Sequence, residues 1–236
     1  MGNRYKCLIF DLDGTLLNTS KGIINSVKYV EEKMKLKKQT DDQLRVFLGP
    51  PPSEIYMKIY GLTMEESKVA TKYHREYSLK NAVNEFDKYI NMQNTLSELK
   101  KQGYYLACAT LKRKDIAVKI LQNASLDFFF DVINGMDLEE SMTKADIISE
   151  CCEMVGIGKK QCLMIGDSNS DYKGSMDAGV SFLGVTYGYG FEPKREYSFD
   201  VVDTPGEIID YICKQDAYKY KNTFEEVFDV VKARKY

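Results

Sequence analysis

Short apolar runs alternate with amphipathic stretches along most of the chain. Five runs have the length and composition of buried strands and a sixth is weaker; in chain order they are 5–10, 104–110, 131–134, 162–166, 181–186 and 199–202. Helical periodicity lies between or after most of them, at 93–102, 113–123, 144–155, 170–178 and 205–213. This order predicts an α/β fold with a doubly wound, Rossmann-like parallel sheet, whose ligands bind where strands end in loops.

The alternation is interrupted once, between the first two predicted strands. Apolar residues there recur at helical spacing, as at Ile23, Val27, Val30 and Met34, and further helical patterns follow at 41–48, 53–60 and 63–80, with a GPPP turn at 49–52. We therefore predict an all-helical subdomain over residues 19–85, inserted into an α/β core formed by residues 1–18 and 86–215. Residues 216–236 form a further helical candidate, which either docks on the core or mediates self-association.

Composition and charge exclude several classes of protein. The chain has 236 residues, of which 44% are hydrophobic, so it is long enough for one large domain or a medium domain with a small second one. Its net charge of −2 gives no electrostatic reason to expect a nucleic acid or an anionic membrane as partner. No apolar run is long enough to span a membrane. A monomer or a homodimer is expected.

Cysteine usage favours a reducing compartment. The six cysteines form no C-x-x-C pair, and we interpret them as small core residues rather than as a zinc site or a redox centre. The pattern predicts a strand almost at the first residue, so we expect no signal peptide. We therefore expect a cytoplasmic protein.

The single histidine, His74, restricts the available chemistry. Its neighbours Tyr73 and Tyr77 suggest a helix of mixed surface, so we expect an ordinary exposed histidine. Imidazole-based catalysis is then nearly excluded, and carboxylates, lysines, hydroxyls and a metal ion remain as candidates.

Asp11 and Asp13 directly follow an otherwise apolar strand in the sequence DLDGT. Two carboxylates crowded at such a place would repel each other, and a bound divalent cation removes that difficulty. Oxygen ligands select a hard ion such as Mg²⁺. Gly14 allows the tight backbone turn that aims amides at an anion. A simple strand-ending turn with solvated aspartates is the structural alternative.

Three further polar elements follow other predicted strands. Asp167 comes directly after the strand CLMIG, and Asp171 lies four residues later. Asp171 could also be an acidic residue that favours the start of the next helix. Thr110 ends the second strand and Lys144 opens a helix. Because strand ends in an open parallel sheet converge on one crevice, these side chains are expected to meet.

Taken together, DLDGTLLNT (11–19), Thr110, Lys144 and GDSNSD (166–171) resemble the haloacid dehalogenase superfamily. The pattern is similar to its phosphatase branch with a helical cap after the first motif, and looks like the phosphoglycolate-phosphatase-like subgroup. The resemblance spans residues 5–213. The chain departs from the family pattern in YINMQNT, where a Pro-Gly pair is common. It also departs in LKRK after Thr110, although Lys112 occupies a position where the family often has a lysine.

This resemblance implies a phosphatase acting on a small phosphorylated metabolite with Mg²⁺ as cofactor. It implies that Asp11 is the nucleophile and that Asp13 is the general acid and base. The metal would be bound by the carboxylates of Asp11 and Asp167 and by the backbone carbonyl of Asp13. Asp171 would contact these ligands or occasionally bind the metal directly. The substrate phosphate would be bound by Thr110, the Leu111 amide and Lys144, and Lys144 would also belong to the catalytic set.

Other functions remain open at this point. A phosphotransferase or mutase of the sugar-phosphate type would use the same residues, as would a nucleotidase or a pyrophosphatase. A receiver domain is about half this length and lacks DxDGT, and a non-catalytic binding module is disfavoured by the intact catalytic positions. GYG (188–190) and GIGKK (156–160) complete no nucleotide-binding motif and receive no role.

Overall fold

A computed structural model describes residues 4–138 and 141–217. Its eight strands are β1 (Cys7–Phe10), β2 (Leu17–Asn18), β3 (Asp87–Lys88), β4 (Tyr105–Arg113), β5 (Val132–Met136), β6 (Cys162–Gly166), β7 (Ser181–Val185) and β8 (Val201–Val202). The α-helices are α1 (Ser20–Met34), α2 (Asp41–Leu44), α3 (Pro52–Tyr60), α4 (Met64–Lys80), α5 (Met92–Lys101), α6 (Lys114–Asn123), α7 (Lys144–Val155), α8 (Asn169–Ala178) and α9 (205–217).

Six strands form a parallel sheet in the order β5-β4-β1-β6-β7-β8. Alternate residues of each strand face opposite sides, and each side is covered by helices. Leu8 and Phe10 belong to an apolar cluster that includes residues of α5, α6 and α9. Cys7 and Ile9 belong to a second cluster with residues of α7 and α8. Burial on both faces explains why the central strands are continuous apolar runs.

The helices α1 to α4 lie between β2 and β3 and have their own apolar cluster. It contains Val27 and Val30 from α1, Tyr56 from α3 and Ala70 from α4. The two strands that flank these helices pair with each other in antiparallel fashion, Leu17 opposite Lys88. We call residues 19–85 the helical insertion.

The predicted α/β architecture is confirmed, with small differences at element ends. All six predicted core strands and the helical patterns are present, although the pattern at 41–48 divides into α2 and a 3₁₀ turn at Arg45–Phe47. The pair β2–β3 was missed, because two-residue strands carry no periodic signal and Asp87 and Lys88 are exposed. Helix α9 is continuous through residue 217, so the predicted boundary at 215/216 falls inside a helix. Residues 218–236 of the predicted extension lie outside the described residues.

Five cysteines are buried and unpaired, as predicted; the sixth, Cys213, is exposed on α9. The YINMQNT departure has a local explanation, because Asn91 has a φ of 66°. Asparagine tolerates this left-handed conformation better than other residues with a side chain, so it can replace the more usual glycine. Within residues 4–138 and 141–217, no helix is both long and apolar enough to cross a membrane.

Candidate active site

The two central strands β1 and β6 each end at an aspartate. Asp11 follows Phe10 and Asp167 follows Gly166, and the strands pair in register, Phe10 opposite Ile165. Asp171 joins them from the first turn of α8, where its carboxylate also caps the helix by accepting from the backbone and hydroxyl of Ser168. The adjacent parallel strands thus bring together the carboxylates that the sequence separates widely.

Oxygens of Asp11, Asp167 and Asp171 all lie within 4.8 Å of one another, and all three residues are buried. Lys144, at the start of α7, is only 6% exposed. Its ammonium group lies 2.6 Å from Asp11 Oδ1 and 2.7 Å from Asp171 Oδ1. Three carboxylates with one lysine among them are a donor set suited to a hard divalent cation.

The crowding changes the pKa values of these groups. Burial raises the pKa of Asp11 to about 7; the charge of Lys144 opposes this rise, and Asp171 and Asp13 add to it. Burial and the neighbouring carboxylates also raise the pKa of Asp167 well above its usual value. For Lys144, burial lowers the pKa, but Asp11 and Asp171 outweigh it, so the net pKa is raised. The site therefore has an excess of negative charge that a cation would relieve.

Asp13 lies beside this acidic cluster but has different partners. Its Oδ1 accepts a hydrogen bond from the hydroxyl of Thr19, and its Oδ2 lies 3.0 Å from the ammonium group of Lys112. Both partners hold the carboxylate in one orientation. Lys112 was noted in the sequence only as a common neighbour of Thr110; its pairing with Asp13 depends on the relative position of β1 and β4.

Thr110 is buried on β4, next to β1. The prediction that it ends the strand is wrong, because β4 continues to Arg113 after an irregularity in its pairing with β5. The Thr110 hydroxyl accepts a hydrogen bond from the Lys112 amide at 3.1 Å. Thr110 and Leu111 line the same cavity as Asp11.

The GYG segment contacts the acidic cluster, which sequence reasoning missed. The amide of Tyr189 donates to Asp167 Oδ2 at 2.6 Å. The Tyr189 hydroxyl accepts a hydrogen bond from the Thr19 amide at 2.7 Å and lies 3.1 Å from Asn18 Oδ1. This loop therefore connects a cluster carboxylate to the first residues of the helical insertion. A glycine-rich tripeptide after a strand was the only signal.

The cavity lies between the carboxyl end of the sheet and the helical insertion. Its lining includes the acidic cluster, Lys144 and, from the insertion, Phe47, His74, Arg75 and the four residues of the GPPP turn.

The prediction of an exposed His74 is wrong. The side chain is 7% exposed, and its Nδ1 lies 3.0 Å from the hydroxyl of Tyr56 on α3. Burial, together with the charges of Lys112 and Arg75, lowers the pKa of His74 to about 3. The partly exposed Tyr73 and Tyr77 beside it in sequence concealed that His74 lies on the buried face of α4.

Comparison with known proteins identifies the family. A family model described as haloacid dehalogenase-like hydrolase matches residues 8–185. The chain belongs to this family. A 5′-nucleotidase of Pseudomonas aeruginosa is 31% identical over 190 residues, which cover 80% of this chain and 86% of that protein. Pyrophosphatase PpaX of Bacillus cereus is 30% identical over 185 residues, covering 78% of this chain and 84% of the relative.

Solved structures of similar proteins share the fold of this chain. A predicted phosphatase from Clostridium acetobutylicum is 33% identical, with a TM-score of 0.83, and the match covers 89% of this chain and 99% of that one. A predicted phosphoglycolate phosphatase from Haemophilus somnus is 25% identical, with a TM-score of 0.77 and the same coverage.

Proposed function

We propose that this hydrolase is a Mg²⁺-dependent phosphatase that cleaves a small-metabolite phosphomonoester through an aspartyl-phosphate on Asp11. The observation that carries the proposal is the position of the Asp11 carboxylate, which lies at the end of the central strand between Lys144 and the other cluster aspartates. Such a carboxylate can act as a nucleophile when neighbouring cations keep it ionised.

The donor set fits a magnesium ion. The three clustered carboxylates supply hard oxygen atoms. Burial raises the pKa values of both Asp11 and Asp167, and the neighbouring carboxylates raise them further. Asp11 and Asp167, with the Asp13 carbonyl, would hold the ion, and Asp171 would support them while it pairs with Lys144. A bound Mg²⁺ would neutralise phosphate charge and favour in-line attack.

The protein's own residues would divide the reaction into two displacements. A carboxylate oxygen of Asp11 attacks phosphorus, the bond to the ester oxygen breaks, and that oxygen takes a proton from Asp13. In the second step Asp13 removes a proton from water, which attacks phosphorus and releases Asp11 and inorganic phosphate. Thr110, the Leu111 amide and Lys144 would hold the nonbridging oxygens, and Lys112 and Thr19 would orient Asp13.

We also propose that the helical insertion at 19–85 acts as a cap over a core formed by 1–18 and 86–215. Its inner face lines the cavity, so it can exclude water from the reacting phosphate and contact the leaving group. The unpaired buried cysteines support a reducing, cytoplasmic setting.

The curated relatives support two narrower substrates within this chemistry, a nucleoside monophosphate and pyrophosphate. The test is a panel of phosphomonoesters, nucleotides and pyrophosphate, assayed with Mg²⁺ and with EDTA. Mg²⁺-dependent phosphate release from members of the panel is expected. Absence of release from every member, or release that EDTA does not reduce, would contradict the proposal.

A further inference from the structure

The GYG segment at 188–190 fits closely against the acidic cluster. A Cβ added at Gly188 would collide with the Asp167 carboxylate, and one added at Gly190 would lie 2.7 Å from the Asp167 carbonyl oxygen. Only glycine allows so close an approach of the backbone. The two glycines therefore hold Tyr189 beside the cluster, where its amide donates to Asp167 Oδ2 at 2.6 Å.

The side chain of Tyr189 contacts the first residues of the helical insertion. Its hydroxyl accepts a hydrogen bond from the Thr19 amide at 2.7 Å and donates one to Asn18 Oδ1 at 3.1 Å. The phenol keeps the proton for the second bond, because burial and then the charge of Asp13 raise its pKa. Tyr189 thus connects the acidic cluster, through its amide, to the beginning of α1, through its hydroxyl.

Thr19 uses its hydroxyl in a way that is unusual for its position. It is the N-cap residue of α1, where a threonine hydroxyl commonly accepts from an amide of the first helical turn, but its side chain makes no such bond. Asn18 Oδ1 accepts from the Ser20 amide instead, at 3.2 Å. The Thr19 hydroxyl donates to Asp13 Oδ1. The Thr19 backbone is therefore held by Tyr189, while its side chain orients Asp13.

From these contacts we infer that Tyr189 is a positioning residue, which fixes Thr19 so that the Thr19 hydroxyl holds Asp13 ready for proton transfer to the leaving group. The inference rests on the proposed phosphatase function, in which Asp13 is the acid of the first displacement. Without the Tyr189 hydroxyl, the metal site would keep its ligands, but Asp13 would be less well oriented. Cleavage would then slow most for esters whose leaving oxygen needs a proton.

The experiment uses Tyr189→Phe, which removes both hydroxyl bonds and keeps the amide on Asp167. With the full-length protein and saturating Mg²⁺, kcat/KM is measured for phenyl phosphate and for 4-nitrophenyl phosphate. The esters are similar in shape, but 4-nitrophenolate is the more stable anion and depends less on a proton donor. The variant should lose about tenfold on phenyl phosphate and less than about threefold on 4-nitrophenyl phosphate.

The ratio of the two losses isolates the orientation of Asp13. A smaller folded fraction or a weaker metal site would lower both values equally, and kcat/KM does not report the later hydrolysis of the aspartyl-phosphate. If wild type is slow on both aryl esters, acetyl phosphate, whose acetate leaves without a proton, and the best alkyl phosphate form the pair instead.

Variants at Thr19 extend the test. Thr19→Val removes the bond to Asp13 and should lower the two values in the same unequal way, whereas Thr19→Ser keeps the hydroxyl and should recover most of the loss. Tyr189→Phe should change the ratio little further in the Thr19→Val background, because both act through Asp13. The matched control is Tyr211→Phe, since the half-buried Tyr211 also donates to a carboxylate, Asp200 Oδ2 at 3.0 Å, but beside the edge strand β8. It should keep the wild-type ratio.

The outcomes separate this inference from the function on which it rests. No loss in Tyr189→Phe, or equal losses on the two esters, would overturn the positioning role while the phosphatase assignment stands. Equal losses together with a higher Mg²⁺ requirement would also overturn it, and would assign the tyrosine ring to the metal site. Failure of wild type to release phosphate from any phosphate ester would overturn both.

Discussion

Lys144 Nζ lies 2.6 Å from Oδ1 of Asp11, although the two residues are 133 positions apart in sequence. The pair is buried at the start of α7 and the end of β1. A nucleophilic carboxylate in this position is oriented by the ammonium group and has little freedom to rotate. Asp11 is therefore the residue whose replacement tests the chemistry most directly.

Asp11→Asn should reduce kcat by at least about a thousandfold, because an amide cannot attack phosphorus. The fold should persist, since the substituted side chain has the same shape; circular dichroism and thermal unfolding would verify this. Asp177→Asn, at an exposed position of α8, is the matched control and should retain activity. Activity of Asp11→Asn within tenfold of wild type would refute the role of Asp11.

Removal of metal should abolish turnover, and Mg²⁺ should restore it, whereas Ca²⁺ should be a poor substitute because its looser coordination disturbs in-line geometry.

The affinity of the protein for Mg²⁺ should depend on pH. Because burial, reinforced by Asp171 and Asp13, raises the pKa of Asp11 to about 7, Mg²⁺ must displace a proton below that pH. Calorimetry should show binding about tenfold tighter at pH 8 than at pH 6. Equal affinity at both values would contradict Asp11 as a ligand.

Gly14→Ala should remove the metal response. Gly14 has a φ of 80°, and a Cβ there would collide with the carboxylate of Asp167. Gly103 has a similar φ of 87° but no atom within 4 Å of the added Cβ, so Gly103→Ala measures backbone strain alone, about 1 kcal/mol. The Mg²⁺-induced rise in Tm should persist in Gly103→Ala and disappear in Gly14→Ala. Retention of that rise in both variants would show that the carboxylate can move away without loss of the site.

His74 should make the protein sensitive to acid. Its pKa falls from 6.5 to about 3 on folding, so the unfolded state binds the proton first, and stability present above pH 6.5 is lost as the pH falls toward 3. At pH 5 this amounts to about 2 kcal/mol. Chemical denaturation in EDTA at pH 7 and 5 should show a smaller loss for His74→Gln than for wild type. His74 is the only histidine, so no other imidazole contributes to the difference. The raised pKa of Asp11 changes stability in the opposite direction, but it does so in both proteins and therefore cancels in the comparison. Parallel losses would refute a buried neutral imidazole.

The edge of the sheet that carries the acidic cluster was predictable because its signals are local. The apolar runs before Asp11 and Asp167 identify two buried strands, and the topology of a parallel sheet then requires that the following aspartates share one edge. Lys144 was predictable only together with the other motifs, because a lysine at a helix start is by itself a weak signal. In each case a strand or helix end could be located from the residues immediately around it.

Residues whose environment depends on packing between distant segments were not predictable. The burial of His74 depends on how α4 packs against α3, and Tyr189 reaches Thr19 only because the loop after β7 lies beside the start of the insertion. Lys112 contacts Asp13 because β4 pairs with β1. No periodicity or spacing within the sequence reports such contacts, since they arise from the relative placement of elements.

The antiparallel pair of Leu17–Asn18 with Asp87–Lys88 has a consequence for replacement of the helical insertion. The two ends of the helical insertion lie one strand spacing apart, so its replacement by another segment with adjacent ends would not stretch or reorder the parallel sheet. The insertion could therefore be exchanged while the carboxylates at the ends of β1 and β6 keep their places in the sheet. In the laboratory, the same pair provides two junctions for chimeras in which the insertion of one relative is grafted onto the core of another.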